Sequence, residues 1–253
     1  MAPPRATVVT ACHNYGHWVL GALKSALVDP YPDKRLVVVD DGSTDDTART
    51  IFSWLRKPTE WISPGGVPGI RGQAPGHAVE VTLILASPNR GPSAARNTGI
   101  RALWEETDVF LNLDADDLYR PGKIARSVLA WQKAPGAIGV VYTDYDNWSV
   151  EGGHQVRLYR ESYSHPRLQQ ECIVNPNSLV SRQALEKVGL FDEQMRTAED
   201  WDLWLRIASR FMLVHLPESL VVMRAGSYNS THTVPAEVWQ ANWARIRQKH
   251  GRP

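Results

Sequence analysis

Short, largely apolar runs that break off at polar residues recur along the chain. Thr7 to Ala11, Leu36 to Val39, Val79 to Leu85, Val109 to Leu113 and Ile138 to Tyr142 are all of strand length. Apolar residues on both sides of the pleat predict strands buried on two faces, as in a parallel sheet. Between these runs the spacing turns helical. Leu20, Leu23, Ala26 and Leu27 share one face before Asp29-Pro30-Tyr31-Pro32 stops that helix, and Ala48, Ile51, Phe52 and Leu55 share the next. Ser43 with Asp46 has the pattern of an N-cap and a first-turn acid for the second helix. Ala94, Ala95, Ile100, Ala102 and Leu103 mark a third helix, and Ile124, Val128 and Leu129 a fourth that begins near Pro121. Strand, turn and helix in repetition predict an α/β fold with a mostly parallel central sheet flanked by helices.

One segment interrupts this rhythm. Lys57 to Ala78 holds Pro58, Pro64, Pro68, Pro75 and five glycines with little periodicity, which predicts a long loop at the periphery. Beyond Asp144 the pattern is less regular. It predicts a strand at Ser178 to Val180, a helix from Gln183 to Val188 closed by Gly189, and a helix from Ala198 to about Ser209. Short strands are expected at Leu213 to His215 and Leu220 to Met223. A basic C-terminal helix then carries Trp239, Trp243 and Ile246 on one face. No repeat and no linker divides the chain, so one domain over 1–253 is the expectation.

Composition narrows the picture modestly. The 253 residues are 43% hydrophobic and 22% charged, which is ordinary for a globular chain able to bury a sizeable core. A net charge of +1 gives no global field toward nucleic acid or an anionic membrane. Ten tryptophans against four phenylalanines suit either a core or sugar and base stacking. Cys12 and Cys172 form neither a zinc spacing nor a disulfide framework. With no apolar signal region and no run of bilayer-spanning length, a cytoplasmic protein, free or peripheral at a membrane, is expected.

The chemistry concentrates where strands end. In open α/β sheets ligands bind beyond the carboxyl ends of the strands. Asp40-Asp41 and Asp114-Ala115-Asp116-Asp117 each follow a predicted strand, and parallel neighbouring strands would bring both clusters to one rim. Carboxylates this close repel unless a cation or hydrogen-bond donors compensate them. Mg²⁺ or Mn²⁺ on a phosphorylated ligand would do so; an acidic turn capping the next helix is the plainer alternative. Glu199-Asp200 likewise reads either as acids favoured at a helix start or as a proton acceptor with its neighbour.

Five blocks, ATVVTACHNYGHWVLGALKSAL, LVVVDDGSTDDT, NRGPSAARNTGI, VFLNLDADDLYRPGKI and AEDWDLWLRIA, resemble in that order the family 2 glycosyltransferases of the glycosyltransferase-A fold. The similarity spans roughly residues 6 to 225, with 58–78 as an insertion. It implies a Rossmann-like sheet with a smaller, mixed acceptor-side region. Residues 1–117 would be the donor half, 118–225 the acceptor half, and 226–253 a helical extension. It further implies a nucleotide-sugar donor, UDP-linked first of all, a divalent cation (Mn²⁺ or Mg²⁺), and transfer with inversion to a glycan, lipid-linked, protein or small-molecule hydroxyl. Carried over by position, Thr10, Ala11 and Tyr15 would line the nucleoside pocket. Asp41 would contact the base with Asp40 beside it, and Arg96 would lie near the nucleotide. Asp114 and Ala115 would reach the ribose region, Asp116 would bind the metal as part of the DXD motif, and Asp200, beside Glu199, would be the catalytic base.

The chain departs from the pattern in places. Ala11-Cys12-His13 precede Asn14 where many relatives have Pro and a polar residue, and the Gln-x-x-Arg-Trp motif of processive synthases is absent near Asp200. Single-sugar transfer is therefore expected rather than polymer synthesis. Gly226 and Ser227 occupy the region after Arg224 where relatives often carry a His; His232 is the candidate replacement at the metal or diphosphate. Two competing readings are a sugar-phosphate nucleotidyltransferase, whose Gly-rich N-terminal signature is missing after Val9, and a non-catalytic nucleotide- or glycan-binding domain.

Overall fold

The computed structural model describes residues 2–63, 65–226 and 229–251. Its elements run β1 (Ala6–Cys12), α1 (Val19–Leu27), β2 (Lys34–Asp41), α2 (Thr47–Trp54), β3 (Arg56–Ile62), β4 (Pro68–Gln73), β5 (Glu80–Ala86), α3 (Pro92–Ala102), β6 (Val109–Asn112), β7 (Leu118–Tyr119), α4 (Lys123–Trp131), β8 (Ile138–Ser149), β9 (His154–Leu158), α5 (His165–Gln170), β10 (Leu179–Ser181), α6 (Arg182–Val188), α7 (Glu199–Ala208), β11 (Met212–Ala225), α8 (Ser230–Thr233) and α9 (Ala236–Lys249). Among the described residues eleven strands share one sheet in the order β3-β4-β5-β2-β1-β6-β10-β8-β11-β7, with β9 against β8. The run β5-β2-β1-β6 is parallel, as is the β8–β11 pair. Other pairings are antiparallel, so the sheet is mixed, with its longest parallel run, β5-β2-β1-β6, in the first half of the chain.

The apolar runs form the buried centre of this sheet. Val8, Leu36, Val38 and Leu111 face a core shared with Leu23 and Ile51, whereas Val9, Val37, Val39 and Phe110 face a second core with Ile100, Leu203 and Trp204. Covering both faces explains why the strands are apolar throughout rather than alternating.

Four expectations change. The segment 57–78 is not a loop: β3 and β4 form an antiparallel hairpin that extends the sheet beyond β5, with Ile70 opposite Leu83. Five of the first six residues of β3 are exposed on both faces, so backbone pairing defines this edge with no apolar alternation to announce it. Ser43 does not cap α2. That helix begins at Thr47, and Ser43 instead donates its N–H to Asp40 and accepts from the Asn14 N–H. The two short strands expected after Leu213 are one strand, β11, interrupted by register shifts between Leu216 and Val221. Finally, β2 and β6 are not neighbours, because β1 lies between them.

Two contacts fix the frame of the rim. Gly99 lets α3 sit directly on the sheet, since a Cβ there would stand 3.0 Å from Val9 Cγ1 and 3.3 Å from Val37 and Val39. The second is the buried Asp29 carboxylate, placed just after α1. It accepts the Ile124 N–H at 2.8 Å, the Ala125 N–H at 3.2 Å and the Tyr31 N–H at 3.0 Å. It thereby caps α4 from a distance and anchors the chain that leaves the 114–117 loop. Asp29→Ala strands these three donors in the interior and is expected to lower stability by about 2–4 kcal/mol. Urea titration would read this as a lower midpoint at unchanged slope; an unmoved midpoint would remove Asp29 from the frame.

Candidate active site

Three strand ends and one helix start meet at a cavity of about 1130 Å³. β1 brings Ala11 and Cys12, β2 brings Asp41, and the loop after β6 brings Asp114 to Asp117. The first turn of α7 brings Glu199 and Asp200. The helix start is reached through Ala198, a non-glycine residue in the left-handed region at φ 56°, ψ 22°. A residue with a Cβ is disfavoured there by roughly 1–2 kcal/mol, so packing of α7 must hold it.

At the centre lies the buried guanidinium of Arg96. Its Nη2 donates to Asp114 at 2.7 Å and its Nη1 to Glu199 at 2.5 Å. Burial disfavours the charge, but Asp114 and Glu199 more than offset this and hold the guanidinium charged above its ordinary range. One side chain on α3 thus ties the acid loop to the start of α7.

The acid loop is organised residue by residue. Asp114 takes Asn177 Oδ1 on its N–H at 2.9 Å. Asp117 is buried and fully engaged, accepting from the Arg224 N–H at 2.9 Å and from Asn177 Nδ2 at 2.7 Å. Arg224 also donates to the Asp116 carbonyl at 2.5 Å, with its guanidinium 4.3 Å from the Trp18 ring centre and 5.5 Å from that of Trp148. The Asp116 carboxylate accepts from Asn229 Nδ2 at 2.9 Å. Burial, reinforced by Asp114, pushes the Asp116 carboxyl up to about 6. Among the described residues no group of three or more His, Cys, Asp or Glu is placed to hold a metal ion. A cation at Asp116 would therefore depend on one protein carboxylate plus a ligand's phosphates and not on an all-protein cage.

Asp200 is half-buried. It accepts the Trp201 N–H at 2.8 Å, and the Cys172 thiol lies 3.9 Å from its other oxygen. Burial first, and then the charge of Glu199, pushes its carboxyl up to about 7. The Trp201 indole donates to the Leu168 carbonyl at 2.6 Å and pins the turn.

The other expected positions divide. Tyr15, Ala11, Asp41 and Ala115 line the cavity. Asp41 already accepts the backbone N–H groups of Arg90 at 3.1 Å and Gly91 at 2.8 Å, so it also latches the start of α3. Thr10 does not reach the cavity; it is buried within β1, one residue short of the strand end that does. The Asp40 carboxylate turns to the Ser43 N–H at 2.9 Å and lies outside the lining. His232 is exposed in α8 and is not part of the wall; Asn229, three residues earlier, is the group that meets Asp116. Asn177 and Asn229 were not among the sequence candidates. Only the three polar residues of Asn175-Pro176-Asn177-Ser178, just ahead of a short strand, hinted at buried hydrogen-bonding work.

Residues 7–189 match the family model described as Glycosyl transferase family 2. An uncharacterized glycosyltransferase of Rickettsia bellii (strain RML369-C) is 24% identical over 235 residues, 91% of this chain and 30% of that protein. The chain spans about a third of the length of this and two other curated relatives, from Rickettsia conorii and Rickettsia felis. Among solved structures, S. aureus TarS 1–349 in complex with UDP-GlcNAc superposes with a TM-score of 0.71 at 15% identity, over 96% of this chain and 66% of that one. The mannosyltransferase PcManGT from Pyrobaculum calidifontis, in complex with GDP-Man and Mn²⁺, gives 0.63 at 21% identity, over 99% and 62%. At these identities the superpositions establish a shared fold.

Arg96→Met tests the central bridge. It leaves Asp114 and Glu199 facing each other without their cation, and a loss of about 3–5 kcal/mol is expected at pH 7. Urea unfolding would read this as a lower midpoint, and an unmoved midpoint would remove Arg96 from the frame.

Proposed function

The chain belongs to glycosyl transferase family 2, and on that premise we propose that it moves one sugar from a nucleoside-diphosphate sugar to an acceptor hydroxyl with inversion. The observation that carries this reading is that the acid loop and Asp200 face one cavity, on either side of Arg96. One wall is shaped for a charged donor and the other for a proton transfer.

The donor's nucleoside would lie over Ala11 and Tyr15, with Asp41 accepting from the base or ribose while it holds Gly91 in place. This puts the donor in residues 1–117 and the group that receives the attacking hydroxyl's proton, Asp200, in residues 118–225. A UDP-linked sugar is the first donor to test. Asp116 would hold a divalent cation, Mn²⁺ or Mg²⁺, whose chemistry when bound is to neutralise the charge that develops on the departing diphosphate.

Asp200 would take the proton of the attacking hydroxyl. An ordinary aspartate is too weak a base to do this well at neutral pH. A carboxyl raised to about 7 is near the optimum, ionised often enough to act and basic enough to accept. Glu199 raises it by charge while itself remaining tied to Arg96, so the two acids have separate roles: Glu199 positions and polarises, and Asp200 reacts. A single base opposite the leaving group suits one displacement, and hence inversion.

Asp200→Asn preserves the shape and removes the basicity. Turnover should fall by about 10²–10⁴-fold while the nucleoside diphosphate Kd is unchanged. Near-normal kcat would take Asp200 out of the mechanism. The pH profile is a separate check. Because the base must be unprotonated, kcat of the unaltered protein should be low in acid, rise through about pH 7 and level off above it. A flat profile from pH 5 to 8 would contradict the assignment.

A further inference from the structure

One wall of the cavity is used by none of these steps. It is the face of α9 that carries Trp239, Trp243 and Arg247 at four-residue spacing, all three lining the cavity. The two indole rings stand 6.0 Å apart at 54°, and Trp243 remains 41% exposed. The sequence placed Ile246 on the same face as the two tryptophans, but it turns instead into the second core.

The adjoining face of the helix is fastened to the body. Asn242 donates to Thr197 Oγ1 at 2.8 Å, and Arg245 and Lys249 meet Asp192 at 3.1 and 2.5 Å. Lys249 and His250 meet Asp202 at 3.2 and 3.1 Å. Against these paired groups Arg247 stands out. It is exposed, points its helix position at the cavity, and meets no carboxylate among the described residues.

An indole open to water at Trp243, a half-buried one beside it at Trp239, and an uncommitted guanidinium one turn further on form a surface of specific chemistry. A pyranose presents one face of polarised C–H groups and a rim of hydroxyls. The C–H face is attracted to the electron-rich indole and is desolvated at little cost. A guanidinium selects carboxylate or phosphate, which it can grip with two parallel hydrogen bonds. We propose that this stripe is the acceptor subsite, and that it takes an anionic glycoside: a sugar ring laid on Trp239 and Trp243, with a carboxylate or phosphate at Arg247. The assignment rests on the sugar-transfer reading and adds the acceptor's class to it. Most acids of the cavity are already engaged: Glu171 is paired with Arg167 at 3.0 Å, Asp114 and Glu199 with Arg96, and Asp41 and Asp117 accept backbone N–H groups, which leaves Asp116, reserved here for the donor's cation, and Asp200, the proposed base.

The test is calorimetric binding of three probes to the protein holding UDP and Mn²⁺: methyl glucoside, methyl glucuronide and methyl glucoside phosphate. The two anions should bind more tightly than the neutral sugar, and the tighter of the two identifies the carboxylate or the phosphate. Arg247→Gln should weaken the anions by about tenfold, to the level of the neutral probe. Trp243→Ala should weaken all three and Trp243→Phe should restore most of the loss, with UDP affinity unchanged throughout. Both side chains are exposed, so the variants should fold, and their thermal unfolding checks this. Equal binding of neutral and anionic probes, a preference that survives Arg247→Gln, or no glycoside binding would overturn the proposal. Failure of UDP itself to bind would overturn the sugar-transfer reading, and the acceptor role with it, whatever the glycosides do.

Discussion

The guanidinium of Arg96 is the charge on which the site is balanced. A cation taken out of water is tolerated only when its partners are well placed, and here they come from two distant parts of the chain, Asp114 and Glu199. The close packing of α3 at Gly99 and the backbone latch at Asp41 set where that cation stands. Arg224 does comparable work on the other side. It grips the backbone of the acid loop and the Asp117 carboxylate while lying against Trp18 and Trp148. The Asp116 and Asp200 carboxyls, by contrast, are pushed up by burial to about 6 and about 7 despite the nearby arginine charges. The same electrostatic arrangement therefore keeps the frame rigid and leaves unspent negative charge where a donor's counter-charge and an acceptor's proton would arrive.

How much of this the sequence disclosed depends on what defines each element. β1, β2, β5 and β6 were legible because their side chains are buried on both faces, and burial writes itself as an apolar run. The β3–β4 hairpin was not, because edge strands are held by backbone pairing while exposed residues such as Arg56, Thr59 and Glu60 remain free to be polar. β11 was split in two because Glu218 and its neighbours fall at register shifts that interrupt the pattern without ending the strand. Ser43 looked like a cap because cap and Asx-turn chemistry use the same residue types.

The site was legible as blocks and not as contacts. Asp41, Arg96, Asp116 and Asp200 stand in recognisable motifs, and the fold brings them to one cavity. What spacing cannot reveal is which polar group turns inward. Thr10 and Ala11 are adjacent, yet the alternation of β1 and its end give the cavity only the second. Asn229 rather than His232 meets Asp116 because α8 begins between them and rotates the histidine outward. The division of labour on α9 has the same origin: Ile246 and Trp243 are three residues apart, close enough to share a predicted face and far enough for one to enter the core and the other the cavity.

If a cation and a diphosphate together relieve the negative charge at Asp116, as proposed, the two ligands bind cooperatively. Calorimetric titration of UDP into metal-free protein, in Mn²⁺ and then in excess chelator, measures this directly. UDP should bind at least about tenfold more tightly with the ion, and by linkage the ion more tightly with UDP, with the coupling lost in Asp116→Asn. Equal UDP affinity with and without the ion would contradict the charge balance on which this view of the site depends.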